Sequence, residues 1–144
     1  MRIGELARLT IDNIDLKKNL IKIAPYQSQP GREVPLNNPA KQALKKYLEV
    51  RPKSGTKTLF LTKTGKPFLV RNIRSAVNRY FKIAGIKKAR VNDLRHTFIV
   101  QQLKSGVPLV TVSKIVGHKR LSTTEKYLQL VEEKAEERVK LEEL

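Results

Sequence analysis

NDLRHTF at Asn92–Phe98, VGH at Val116–His118 and STTEKY at Ser122–Tyr127 fall in one stretch that holds both histidines of the chain. The positions around them are spaced like ordinary core helices. Leu94, Phe98 and Gln102, with Ile99 and Leu103 beside them, are expected to bury one side of a first helix and to turn Arg95 off the apolar stripe. Ser105-Gly106 ends that helix. Pro108 opens a second, on which Leu109, Val112, Ile115 and Val116 form another buried stripe. Ser122-x-x-Glu125 is a capping-box pattern, so a third helix should start near Ser122 with Tyr127 on its second turn. The remaining polar residues suit chemistry on a phosphate. A guanidinium grips two phosphate oxygens and stays charged as a phosphodiester becomes more anionic in its transition state, which fits Arg95. An imidazole can donate a hydrogen bond or a proton to the same group, and a phenol can act as a covalent nucleophile where nearby positive charge favours its phenolate. His118 and Tyr127 fit those two roles.

The whole chain has the charge that such a role needs. Its 144 residues include 30 Lys and Arg against 13 Asp and Glu, a net charge of +17, which points to a polyanion, nucleic acid ahead of a membrane surface. The length is that of one domain able to bury a core without disulfides. There is no cysteine, hence no thiolate metal site, and two histidines without an acidic cluster argue against a metal centre. The expected chemistry uses no metal and no cofactor. No apolar run is long enough for a membrane span and the first residues match neither a signal nor a transit peptide, so a cytoplasmic location is expected.

Upstream of Asn92, Lys87-Lys88-Ala89-Arg90 leads directly into the central stretch. Val70–Ala84 has helical periodicity through Val70, Ile73, Val77, Tyr80 and Phe81. Off that stripe, Arg71, Arg74, Asn78 and Arg79 are placed to track a phosphate backbone, contacts that give affinity and salt dependence rather than sequence choice; Tyr80 and Phe81 are read as core. Arg51–Thr58 reads as a basic loop, followed by the short apolar run Leu59–Leu61. From Pro39 a helix is expected, with Ala43, Leu44, Tyr47, Leu48 and Val50 on its apolar side and Lys41, Lys45 and Lys46 on a solvated face. Leu20–Ala24 and Arg32–Leu36 read as a hairpin, and Met1–Leu9 as a helix with Ile3, Leu6 and Leu9 on one face. Arg2, taken alone, is a solvated charge at a helix start.

Downstream the character changes. Residues 131–144 hold six glutamates against three Lys and Arg, a net −3, which leaves +20 on residues 1–130. Val131, Ala135 and Val139 recur every four residues, with Glu136 and Lys140 set to pair along the helix. Residues 128–144 are therefore expected to form an acidic amphipathic C-terminal helix that packs on protein rather than on DNA.

In order along the chain, Met1–Leu6, Glu33–Leu36, Asn92–Phe98, Val116–His118 and Ser122–Tyr127 together resemble the signature of the tyrosine recombinases, the phage integrase family. The resemblance covers nearly the whole chain and implies a catalytic domain, mainly α-helical with a small antiparallel β-sheet, spanning residues 1–144 without its own N-terminal start or the upstream core-binding domain. It implies that Arg2 and Arg95 clamp the scissile phosphate of double-stranded DNA and that His118 hydrogen-bonds it. Tyr127 attacks to form a 3′-phosphotyrosyl link and expel a 5′-hydroxyl, in site-specific DNA recombination or integration. Glu5 matches a supporting acidic residue and His96 a supporting histidine. The family assembles as a tetramer on DNA, with the last helix on a neighbouring protomer. Two positions depart from the pattern. Asn92 stands where the family has a histidine or lysine, and the hairpin loop Ala24–Pro30 lacks the family's general-acid lysine, for which Lys22 is the nearest substitute.

Two other readings fit parts of the chain. A catalytically impaired, DNA-binding remnant of a recombinase fits the missing lysine. The helices joined through Gly106 and Pro108 also resemble the helix-turn-helix of a transcriptional regulator, but that reading leaves Arg2 and Tyr127 unexplained.

Overall fold

The computed structural model describes residues 1–142, with side chains through residue 132. Ala135, Glu136, Val139 and Lys140, and with them the expected packing of the acidic segment, lie outside the described side chains. The chain divides into two compact units, Met1–Asn92 and Asp93–Leu144. Each has its own buried cluster.

The first unit begins with helix α1 (Ile3–Arg8), a 3-10 turn at Ile11–Asn13 and three short strands, β1 (Ile14–Asp15), β2 (Leu20–Ile23) and β3 (Arg32–Pro35). The strands form one antiparallel sheet in the order β1-β2-β3, so β1 is a third strand beyond the expected hairpin. Its pairing places Ile14 opposite Ile21, while β3 sets Val34 opposite Ile21 and Glu33 opposite Lys22. Because strand side chains alternate, Ile21 and Ile23 are buried and Lys22 faces out. Leu9, Ile21, Ile23 and Leu59 form the core, with Leu6, Val34, Leu44, Tyr47 and Phe60 packed against it.

Helix α2 (Asn38–Val50) starts where its polar entry residue dictates: the Asn37 side chain accepts the Ala40 N–H at 3.0 Å, with Pro39 in the first turn. Ala43 and Val50, expected on the apolar side, are exposed. The basic loop expected at Arg51–Thr58 is a loop in the structure, and it is strapped to the core. Arg51 donates to the carbonyls of Thr56, Thr58 and Leu59, and the Tyr47 hydroxyl donates to the Leu59 carbonyl at 2.9 Å. In α3 (Val70–Ile83) Ile73 is buried as expected, but Tyr80 is 63% exposed and is not core.

The second unit contains α4 (Val91–Lys104), α5 (Leu109–Val116) and α6 (Leu121–Glu142). Ile99, Leu103, Val112 and Val116 form its core, and Leu109, Tyr127, Leu128 and Val131 pack around them. The buried face of α4 differs from the expected one. Leu94 is 52% exposed and Phe98 40%, while the buried line runs through Ile99 and Leu103. Arg95 stands one turn before Ile99 on that same line, so it is on the inward stripe rather than off it. Apolar residues occur on several sides of α4, and periodicity could not select the side that meets α5. Helix α6 begins at Leu121, one residue before the expected cap, and Tyr127 falls on its second turn as anticipated. Among the described residues no helix is long and apolar enough to cross a membrane.

Candidate functional site

The second unit gathers Arg95, His96, His118 and Tyr127. Its organising feature is the end of α5. Gly117 closes that helix with φ 74°, a left-handed conformation that costs an L side chain about 1–2 kcal/mol. The turn lets the N–H groups of Gly117 and His118 both donate to the Ser113 carbonyl, at 3.0 and 3.1 Å, so the backbone that carries His118 is anchored. Arg95 reaches the same helix end: its Nη2 donates to the Val116 carbonyl at 2.6 Å. That carbonyl belongs to the last turn of α5, where the helix dipole is negative and backbone acceptors need partners. One hydrogen bond therefore satisfies the helix end and orients the guanidinium.

The Tyr127 ring is in contact range of two imidazoles. Its centroid is 6.1 Å from that of His118, with planes 17° apart, and 5.7 Å from that of His96, tilted by 49°. Burial of one side of the ring against the α5 core holds it in place. His118 is fixed in turn through Nδ1, 2.7 Å from the Thr124 hydroxyl, and His96 Nδ1 lies 3.6 Å from the Asp93 carboxylate. In the sequence Thr124 is only an unassigned position inside Ser122-x-x-Glu125, and nothing local signals this contact. The arrangement offers a phosphate a fixed guanidinium and an imidazole, next to a phenol with restricted rotation.

Arg2, Glu5 and Lys22 belong to the first unit. Arg2 is the entry residue of α1, and its Nη1 is buried with no hydrogen-bond partner among the described residues. A buried cationic donor without an acceptor is costly to keep, and an anionic ligand would satisfy it. Glu5 holds the backbone there: the Arg2 N–H donates to Glu5 Oε1 at 2.6 Å. Glu5 is itself held by Arg32, whose Nη1 and Nη2 donate to its two oxygens, the latter at 2.9 Å, with only 8% of Glu5 and 10% of Arg32 exposed. Burial alone would push the Glu5 carboxyl up. The Arg32 hydrogen bonds, the Arg2 N–H and the Arg32 charge outweigh it and take the pKa from 4.5 to about 2. By sequence Arg32 is only a strand residue, since nothing local links positions 27 apart.

The hairpin loop is closed by reciprocal backbone hydrogen bonds between Tyr26 and Gln29, at 3.0 and 2.9 Å. The Arg8 guanidinium stacks over the Tyr26 ring, 3.6 Å from its centroid. Lys22 lies on the exposed side of β2, opposite Glu33, and Asn92 is exposed on the first turn of α4. Arg71, Arg74 and Arg79 are exposed on α3, as are Lys87, Lys88 and Arg90 in the segment after it. Among the described residues no group of three or more His, Cys, Asp or Glu could hold a metal ion.

A family model described as the phage integrase family matches residues 1–134. The chain belongs to the phage integrase family. Within that family it is 35% identical over 136 residues to the tyrosine recombinase XerC of Thermodesulfovibrio yellowstonii, a match covering 88% of this chain and 45% of the relative. It is likewise 35% identical over 134 residues to XerC of Lactobacillus leichmannii, with the same coverage. The crystal structure of XerA recombinase superposes with a TM-score of 0.82 at 30% identity, over 88% of this chain and 47% of that one. A XerH recombinase bound to its difH substrate, in a post-cleavage complex, shares the fold with a TM-score of 0.82 at 24% identity, over all of this chain and 42% of that one. This phage integrase family chain thus spans under half the length of these relatives.

Proposed function

We propose that this chain carries out the strand-cleavage chemistry of a site-specific tyrosine recombinase on double-stranded DNA. The observation that carries the reading is Tyr127 beside both His96 and His118, with Arg95 anchored on the same turn that presents His118. In the proposed step Tyr127 Oη attacks the scissile phosphorus and loses its proton. The bond from phosphorus to the 5′-oxygen breaks, and a 3′-phosphotyrosyl link forms. The departing oxygen takes up a proton to leave as a 5′-hydroxyl, and attack by a 5′-hydroxyl reverses the sequence to rejoin a strand.

Arg95, with Arg2 as the second arginine, would neutralise the phosphate as its charge rises, and His118 would donate a hydrogen bond to it. Glu5 supports Arg2 through its backbone, and His96 restricts the Tyr127 ring. The exposed Arg71, Arg74, Arg79, Lys87, Lys88 and Arg90 would meet the DNA backbone. Structures of relatives include XerH bound to difH and a Tn1549 integrase in complex with circular intermediate DNA. That kinship supports a DNA substrate for this chain, and the resemblance to the family implies, as a further part of the proposal, a tetramer on DNA with the last helix on a neighbour.

A suicide substrate tests the reading. Duplexes with a randomised central segment, nicked so that a cleaved strand cannot religate, are incubated with the protein at low salt and resolved on a denaturing gel. A covalent protein–DNA band that vanishes in Tyr127→Phe is expected. A second reading, a DNA-binding chain with impaired cleavage, is favoured by one observation: the hairpin loop has no lysine and Lys22 points outward opposite Glu33. Salt-sensitive binding with no covalent band would select it. General-acid help to the leaving group is typically worth about 10² to 10⁴ in rate.

A further inference from the structure

Thr124 is fully buried at 0% exposure, and its hydroxyl lies 2.7 Å from Nδ1 of His118. That contact can be made in two ways. If Nδ1–H donates to the hydroxyl, the other nitrogen of a neutral ring, Nε2, is a bare acceptor that repels a phosphate oxygen. If the hydroxyl donates to Nδ1, Nε2 carries the hydrogen and can donate. The proton on one ring nitrogen is set by the hydrogen bond made at the other.

We propose that Thr124 is a positioning residue that donates its hydroxyl hydrogen to Nδ1 of His118, so that the neutral imidazole is held as the Nε2–H tautomer and offers that hydrogen to the substrate phosphate. The phosphate and the choice of tautomer rest on the recombinase reading; the contact between His118 and Thr124 does not. A second consequence comes from the helix. Thr124 precedes Tyr127 by three residues on α6, so the two side chains share one face. The Thr124 hydrogen bond therefore ties the phosphate donor to the helix that carries the nucleophile, and it holds the stacked spacing of 6.1 Å between the His118 and Tyr127 rings.

The first test needs no activity. The full chain is labelled with ¹⁵N-histidine and studied by two-bond ¹H–¹⁵N NMR at a pH where imidazole is neutral. The second histidine is assigned with His96→Gln. His118 should show an unprotonated, hydrogen-bond-accepting Nδ1 and a protonated Nε2. Thr124→Ser should keep that pattern, and Thr124→Val should lose it to a mixture of tautomers. A protonated Nδ1 in the parent overturns the proposal, as does a spectrum unchanged in Thr124→Val. Should Thr124→Val not fold, the parent and Thr124→Ser spectra still decide the tautomer.

Single-turnover cleavage of the nicked substrate is the second test. Thr124→Val should slow covalent adduct formation by about tenfold, the usual value of one hydrogen bond, with DNA affinity unchanged. Its rate should also fall more steeply than the parent's as pH rises through the histidine range, because only the imidazolium then guarantees a hydrogen at Nε2. Thr124→Ser should restore both. Equal loss of affinity and rate, or an unaltered pH profile, would mark Thr124 as structural only. A parent with the Nε2–H tautomer but no adduct would refute the recombinase reading and leave the tautomer standing.

Discussion

Replacing Arg32 with methionine removes the fork that holds Glu5 and leaves a carboxylate with 8% exposure and, among the described residues, one remaining donor, the Arg2 N–H. The magnitude follows from linkage. Glu5 titrates at 4.5 when unperturbed and at about 2 in the folded chain. Each pKa unit corresponds to about 1.4 kcal/mol, so the ionised, hydrogen-bonded carboxylate contributes on the order of 3 kcal/mol of folding stability. Its folded pKa is depressed, so the unfolded chain binds the proton more readily. The contribution is therefore complete above pH 4.5 and is lost as pH falls through about 2. At about pH 3 some 2 kcal/mol of it should already be gone. Urea denaturation of the parent and Arg32→Met across the acid range reads this directly, as the difference between their linearly extrapolated stabilities. That difference should be on the order of 3 kcal/mol near neutrality and shrink by about 2 kcal/mol near pH 3. A difference that stays the same at both ends would show that Arg32 acts through packing and not through the Glu5 charge, and the account of how Arg2 is held would fail with it.

Three further outcomes are expected. Arg95→Lys keeps a charge but loses the fork, so cleavage of the nicked substrate should fall by on the order of 10² or more while DNA binding changes little; parent-like cleavage would remove Arg95 from the phosphate. Gly117→Ala places a Cβ at φ 74° and should cost about 1–2 kcal/mol in urea unfolding, and a cost near zero would mean that the turn presenting His118 is not constrained as described. Replacing Arg71, Arg74 and Arg79 together with glutamine should reduce the slope of log affinity against log salt by about 2 to 3, as read by fluorescence anisotropy, whatever the DNA sequence. An unchanged slope would take α3 out of the DNA interface.

Much of this protein could be read from local sequence, and the reason is range. The starts and stops of helices depend on residues a few positions apart: Asn37 and Pro39 open α2, Pro108 and Gly117 bracket α5, and Tyr127 falls on the second turn of α6. The overall charge, the mainly helical class with a small antiparallel sheet, and the ordered boxes around Arg2, Arg95, His118 and Tyr127 were likewise present in the chain as written. What depended on distant partners was not. The inward side of α4 was chosen by the core it shares with α5, which exposed Leu94 and Phe98 and set Arg95 in line with Ile99 and Leu103. Arg32 became the partner of Glu5 only when β3 was brought to α1, and Arg51 became a strap for Leu59 rather than a free basic side chain. Thr124 acquired its contact with His118 only once the chain had turned at Gly117. Residue types and spacing determine which chemistry the chain can attempt. The direction in which a guanidinium or an imidazole points is set by hydrogen bonds that only the folded chain can close.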